Sequence, residues 1–148
     1  MVMTSLLRFP SPAKLNLFLH ITGRRDNGYH ELQTIFQLIE LYDYLSFTPH
    51  QGLEINILGL DQVNLEDNLI YRAAQALLPF AKQKIGFDIT LEKNIPMGAG
   101  LGGGSSNAAT TLLVLNQLWQ CGCSISELMQ IGARLGADVP IFVFGQNA

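Results

Sequence analysis

Pro96-Met97-Gly98-Ala99-Gly100-Leu101-Gly102-Gly103-Gly104-Ser105-Ser106 holds five of the chain's fourteen glycines. A strand pattern, Phe87 to Lys93, runs into it, and an apolar helical pattern, Asn107 to Trp119, leaves it. Glycines let the backbone take positive φ and remove the Cβ atoms that keep a ligand away. Ser105, Ser106 and Asn107 are residue types that cap a helix start. A glycine loop feeding a helix N-terminus presents free N–H groups and the positive end of the helix dipole. Together these bind anions, phosphate above all. A flexible linker of the same composition would not sit between a patterned strand and a patterned helix.

Context narrows the kind of phosphate loop. No Gly-Lys-Ser/Thr closes it, so it is not a Walker A loop. Gly98, Gly100 and Gly103 match the dinucleotide spacing G-x-G-x-x-G. That motif needs an acidic residue about 20 positions on, at the end of a second strand. Leu118 and Trp119 stand there instead, at the end of a helical pattern. The glycine loop of protein kinases is followed by a Val-Ala-Ile-Lys strand, whereas a helix pattern follows here.

The chain's 148 residues suit one domain. Hydrophobic residues make up 48%, which favours a packed core. Charged residues are only 14%, sparse for an isolated domain, so part of the surface is expected to be covered by more protein. The apolar run Ile141 to Ala148 stops without a closing element and reads as the end of a fragment. Net charge is −3 and Arg24-Arg25 is the only basic pair, which argues against nucleic acid as a partner. No apolar run reaches the roughly 18 residues of a membrane span. Met1 to Ser5 is too short for a signal peptide. Cys121 and Cys123 are one residue apart, a spacing that suits neither a zinc pair nor a redox motif. They read as reduced, structural thiols in a cytoplasmic protein.

Taken in order, Pro10-Ser11-Pro12 is a stiff lead-in. Ala13 to Ile21 alternates, with Ala13, Leu15, Leu17, Leu19 and Ile21 expected on the core face and Lys14, Asn16, Phe18 and His20 on the other. Lys14 is equally suited to a solvated strand face and to a phosphate. A polar turn, Thr22 to Gly28, precedes Tyr29-His30, which read as a strand start or as a stacking and hydrogen-bonding pair for a base. Leu32 to Ile39 fits strand and helix periods alike. Leu41 to Phe47 reads as a strand stopped by Pro49, and Leu53 to Leu58 as another. Asn64 to Asn68 supplies helix-start residues for Leu69 to Lys82, with Pro79 disturbing the last turn. Ser124-Ile125-Ser126-Glu127 is a capping box for a helix ending at Leu135 and Gly136. Asp138 is the only acidic residue from Ile131 to Phe144; it is a helix cap or a desolvated base. Strands first, then helix, strand, loop and two helices indicate an α+β class.

Pro12-Ala13-Lys14-Leu15-Asn16-Leu17, Gly28-Tyr29-His30, the loop from Pro96 through Ala109, and Leu135-Gly136-Ala137-Asp138-Val139-Pro140 together resemble the GHMP kinase superfamily. Within it they are most similar to the branch that phosphorylates 4-diphosphocytidyl-2-C-methyl-D-erythritol in non-mevalonate isoprenoid synthesis. Four motifs in order across the chain are far more specific than the glycine loop alone. The resemblance implies an α+β fold, a mixed sheet with helices on one face, related to the second domain of ribosomal protein S5. Residues 1–148 would be the N-terminal, ATP-binding domain, with the C-terminal domain absent from this chain. It implies transfer of the γ-phosphoryl of ATP to the substrate 2-hydroxyl. Pro96 to Ser106 would wrap the ATP phosphates, with Asn68 and Lys93 as adenine-side contacts. Asp138 would take the hydroxyl proton, and Lys14 would hold the hydroxyl and the developing charge. Asn16 would orient substrate, and Tyr29 and His30 would recognise cytosine. Magnesium is expected with ATP, touched by Ser105 or Ser106, with no dedicated metal cluster. The face left open by the C-terminal domain would favour self-association. Three other functions stay open: a truncated, inactive nucleotide-binding module, a kinase for another small alcohol, and, from the glycine spacing alone, a dinucleotide-dependent oxidoreductase.

Overall fold

The computed structural model describes residues 7–24, 30–59, 65–98 and 100–147, with side chains described for 7–15, 37–59, 65–98 and 100–146. Two long strands, β1 (Leu7–Arg24) and β2 (His30–His50), pair antiparallel from Leu7 opposite Phe47 to Arg24 opposite His30. β4 (Gly86–Glu92) pairs antiparallel with β2, and the short β3 (Ile55–Leu58) pairs parallel with β4. The sheet order is β1-β2-β4-β3, so the sheet is mixed. The helices are α1 (Leu69–Leu77), α2 (Gly103–Leu118), α3 (Ile125–Leu135) and α4 (Val139–Asn147). This is the α+β arrangement expected, its core built where Leu45, Phe47, Ile89 and Leu91 of the sheet meet Leu112, Leu115, Leu128 and Phe142 of the helices.

Several local expectations needed revision. Leu32 to Ile39 is strand, because β1 offers it a full-length antiparallel partner. Pro49 does not stop β2; it lies opposite Phe87 in the penultimate position, where one missing donor costs little. Pro10 and Pro12 lie inside β1, tolerated because β1 is an edge strand. α2 begins four residues earlier than the apolar pattern suggested, with Gly102 as its cap and no side-chain capping bond, so Ser105 and Ser106 lie inside the first turns. The capping box at Ser124 and Glu127 is present in full. Gly136 caps α3 with extended backbone, φ −179°, not in the left-handed region, because the chain passes directly into α4. The final apolar run, read as lacking a closing element, forms α4. The helix expected over Leu69 to Lys82 is α1 followed by a 3-10 turn at Leu78–Phe80, where Pro79 removes a donor.

Trp119 closes α2 and ties it to the loop before β4. It is 1% exposed, and its indole Nε1 donates to the Ile85 carbonyl at 2.7 Å. Trp119→Phe keeps most of the volume but leaves that carbonyl without this donor. We expect a loss of roughly 2 kcal/mol in urea denaturation of the full-length protein; no measurable change would contradict the bond's importance. Nearby, Cys121 and Cys123 are free, and burial pushes both thiols up. That agrees with unreactive, structural cysteines.

Candidate active site

The glycine loop lies where β1, β4, α2 and α4 converge. Lys14 on β1 donates its backbone N–H to the Leu101 carbonyl at 2.9 Å, so the loop takes up part of β1's open edge. The alternation expected in β1 holds only in part here: Ala13 is buried as expected, but Lys14 is only 4% exposed and Leu15 is 40% exposed. The glycine loop and Phe142 of α4 close over the lysine, so this face of β1 is covered as well. Its ammonium donates to the Gly100 carbonyl at 3.2 Å and stands 3.8 Å from Asp138 Oδ2. Lysine and carboxylate, from opposite ends of the chain, therefore meet across the loop. Asp138 sits just before α4 and its side chain is 40% exposed, so it is a carboxylate at a mouth rather than the desolvated group expected.

Gly102 is the tightest point of the loop. Its φ is +72°, and a Cβ there would lie 2.8 Å from the Phe142 ring and 3.2 Å from Lys14 Cε. Gly98, with φ +75°, faces open space. Alanine at 98 therefore carries only left-handed strain, about 1 kcal/mol. Alanine at 102 adds a collision with Phe142 and Lys14. We expect Gly102→Ala to lower stability clearly more than Gly98→Ala and to displace Lys14 from Asp138. Thermal denaturation of the two full-length variants checks this, and equal losses would contradict it.

Beyond the loop, α2 leaves its first N–H groups without intrahelical acceptors, and its dipole is positive at this end. A cavity of about 250 Å³ opens over it, lined by Lys93, Met97, Gly98, Leu101, Gly103 and Asn107 among others. A larger groove of about 600 Å³ lies between β1–β2 and α2–α4. Its walls are mostly apolar, Phe9, Leu38 and Leu113 among them; Lys14 and Asp138 line neither space, but Lys14 contacts Gly100, which borders the smaller one. The smaller cavity is the candidate site, because an ammonium, Lys93, and the N-terminal turn of α2 border it.

Other expected residues are placed less uniformly. Asn68 is buried and caps α1, its Oδ1 accepting from Ile70 N at 2.8 Å and Tyr71 N at 3.3 Å. That accounts for its side-chain oxygen without a ligand. Lys93 lines the cavity and pairs with Asp43 at 2.7 Å. Ser106 turns inward: its hydroxyl is fully buried against Ser11 Oγ at 2.8 Å, and its N–H donates to Gly102 O. Neither group is left to meet a phosphate or a metal. Ser105 stays at the surface of the turn, its Oγ 3.7 Å from where a Cβ on Gly136 would stand. Pro96, Met97, Gly98, Gly100, Leu101, Gly102, Gly103 and Gly104 all border the cavity. Ala99 and Tyr29 lie outside the described residues, and for Asn16 and His30 only the backbone is described.

Asp43, on β2, was missed. It is fully buried. Oδ1 accepts from Asn94 N at 2.6 Å and Ile95 N at 2.8 Å. Oδ2 accepts from Lys93 Nζ at 2.7 Å and Asn107 Nδ2 at 3.1 Å. The available signal was a single carboxylate inside the apolar run Leu41 to Phe47, the same signal that singled out Asp138.

Residues 68–146, just over half of the chain and including the loop, α2, Asp138 and nearly all of α4, match the GHMP kinases N terminal domain. The chain belongs to the GHMP kinase family. Curated relatives agree. The chain is 71% identical over 143 residues to a 4-diphosphocytidyl-2-C-methyl-D-erythritol kinase of Acinetobacter baumannii, covering 97% of this chain and 52% of the relative. It is 58% identical over 143 residues to the protein of the same name from Methylococcus capsulatus, covering 96% and 49%. A crystal structure of 4-(cytidine 5'-diphospho)-2C-methyl-D-erythritol kinase superposes with TM-score 0.77 at 43% identity, over 94% of this chain and 49% of that one. Mevalonate kinase from Methanococcus jannaschii shares the fold, with TM-score 0.65 at 22% identity over 93% and 47%. The chain thus spans about half the length of the curated GHMP kinases it matches. Among the described residues, no helix is long and apolar enough to cross a membrane.

Proposed function

We propose that the full-length protein is an ATP-dependent kinase that phosphorylates the 2-hydroxyl of 4-diphosphocytidyl-2-C-methyl-D-erythritol. Residues 1–148 are its N-terminal, ATP-binding domain, and a C-terminal domain completes the cleft. The observation that carries the reading is that Lys14 and Asp138 meet beside Gly100, one of the glycines that line the cavity at the N-terminus of α2. Phosphoryl transfer asks a protein chiefly for positioning and charge stabilisation, plus a group to orient the acceptor. The free N–H groups of α2 hold the phosphates. Lys14 neutralises charge as it develops on the transferred group. Asp138, half-exposed at the mouth, accepts the proton of the incoming hydroxyl.

Among the described residues no cluster of three or more His, Cys, Asp or Glu could hold a metal. The Asp138 carboxylate and the Ser105 hydroxyl are hard oxygen donors of the kind magnesium takes, and with the nucleotide's phosphates they would hold it. Magnesium bound there would screen phosphate charge. Tyr29 and His30 are assigned to the cytosine and Asn16 to orienting the substrate, on the resemblance in sequence. The protein would work in the cytoplasm on a small molecule, with neither nucleic acid nor membrane as partner. Self-association of this chain alone would follow from its uncovered face.

The test uses γ-labelled ATP with the full-length protein. Label should appear in a phosphate ester of the cytidyl substrate, and far less with mevalonate or homoserine. Nucleotide binding with no transfer to any of the three would instead mark a non-catalytic module.

A further inference from the structure

The four donors that the buried Asp43 carboxylate accepts from lie in or beside the candidate nucleotide pocket. Lys93 and Asn107 line the cavity, and Asn94 and Ile95 are where the chain leaves β4 for the glycine loop. The Lys93 ammonium lies 2.6 Å from where a Cβ on Gly103 would stand, so it is pressed against the first turn of α2. A cation at a helix N-terminus opposes the dipole. Without a counter-charge Lys93 would swing out to solvent, since its side chain is still 20% exposed. Asp43, itself wholly enclosed, supplies that counter-charge at 2.7 Å.

We propose that Asp43 is a positioning residue for the nucleotide: it acts through Lys93, holding that ammonium at the floor of the cavity before the polyphosphate arrives. The inference rests on reading the cavity as the nucleotide site. An arriving anion then meets a cation and a row of N–H groups already in place, and little affinity is lost to ordering them. The effect should fall on nucleotide binding and spare the acceptor.

Asp43→Asn isolates this role. Its carbonyl oxygen can still accept from Asn94 and Ile95, but its amide would face the Lys93 and Asn107 donors, and Lys93 would leave the floor. Lys93→Met and the double variant complete the set. The double variant removes both charges of the pair, a change that buried pairs often tolerate better than loss of one partner. Affinity for a non-hydrolysable ATP analogue is measured by calorimetry on the full-length proteins, with KM for ATP and for the acceptor alongside. Asp43→Asn and Lys93→Met should each raise the analogue Kd and the ATP KM about tenfold or more, with acceptor KM shifting less than about threefold. The double variant should match Lys93→Met within about twofold, since the side chain at position 43 then has no ammonium to aim. Lys93→Met indistinguishable from the native protein would overturn the proposal. So would losses shared equally between ATP and acceptor, or a double variant much weaker than Lys93→Met. If Asp43→Asn does not fold, the comparison of the other two still decides. A native protein that does not bind the analogue at all would overturn the reading of the cavity itself.

Discussion

Asp138→Asn is expected to lower kcat of the full-length protein by about a thousandfold, within the range for loss of a general base. The substitution is nearly isosteric, and the side chain is 40% exposed, so little stability is at stake. What changes is chemistry. A carboxamide cannot take the hydroxyl proton, and it offers no negative charge to the Lys14 ammonium now 3.8 Å away. Calorimetry with an ATP analogue in the absence of magnesium should show affinity little changed, because the free N–H groups of α2 hold the phosphates in the proposed reading. Steady-state kinetics measures the loss. A fall of less than about tenfold would remove Asp138 from the role of base.

Lys14→Ala is expected to cost about 10²- to 10³-fold in kcat, the usual scale for removing one group that stabilises transition-state charge. Here the fold is also involved. The lysine stem is buried under Gly102 and beside the Phe142 ring, and alanine would leave space there. Lys14→Met separates the two effects by keeping most of the stem and removing the charge. Equal losses in the alanine and methionine variants assign the effect to the ammonium. A methionine variant with near-native turnover would assign it to packing and contradict the catalytic role.

Much of this was legible before any coordinates. The loop, its flanking strand and helix, the capping box at Ser124 and the meeting of Lys14 with Asp138 follow from local pattern and from the four motifs in order. What escaped depends on partners distant in sequence. Leu15 looked like a core residue because alternation takes one face of β1 for the core, yet the glycine loop and Phe142 cover Lys14 on the other face. The true start of α2 was hidden because Gly103 and Gly104 have poor helix propensity. At 103 glycine is needed, because a side chain there would press on the Lys93 ammonium and Ile95. Ser106 looked like a phosphate ligand from its place after the glycines, yet Ser11, far away in the chain, claims its hydroxyl. Asp43 was overlooked for the same reason: its donors come from residues 93 to 107, and nothing in its own strand announces them.

The most direct test is a crystal structure of the full-length protein with a non-hydrolysable ATP analogue. The account predicts the phosphates over the first turn of α2, in the 250 Å³ cavity, with the terminal phosphate directed toward the Lys14 ammonium, beside Gly100. An analogue bound in the larger groove between β1–β2 and α2–α4, away from that ammonium, would contradict it.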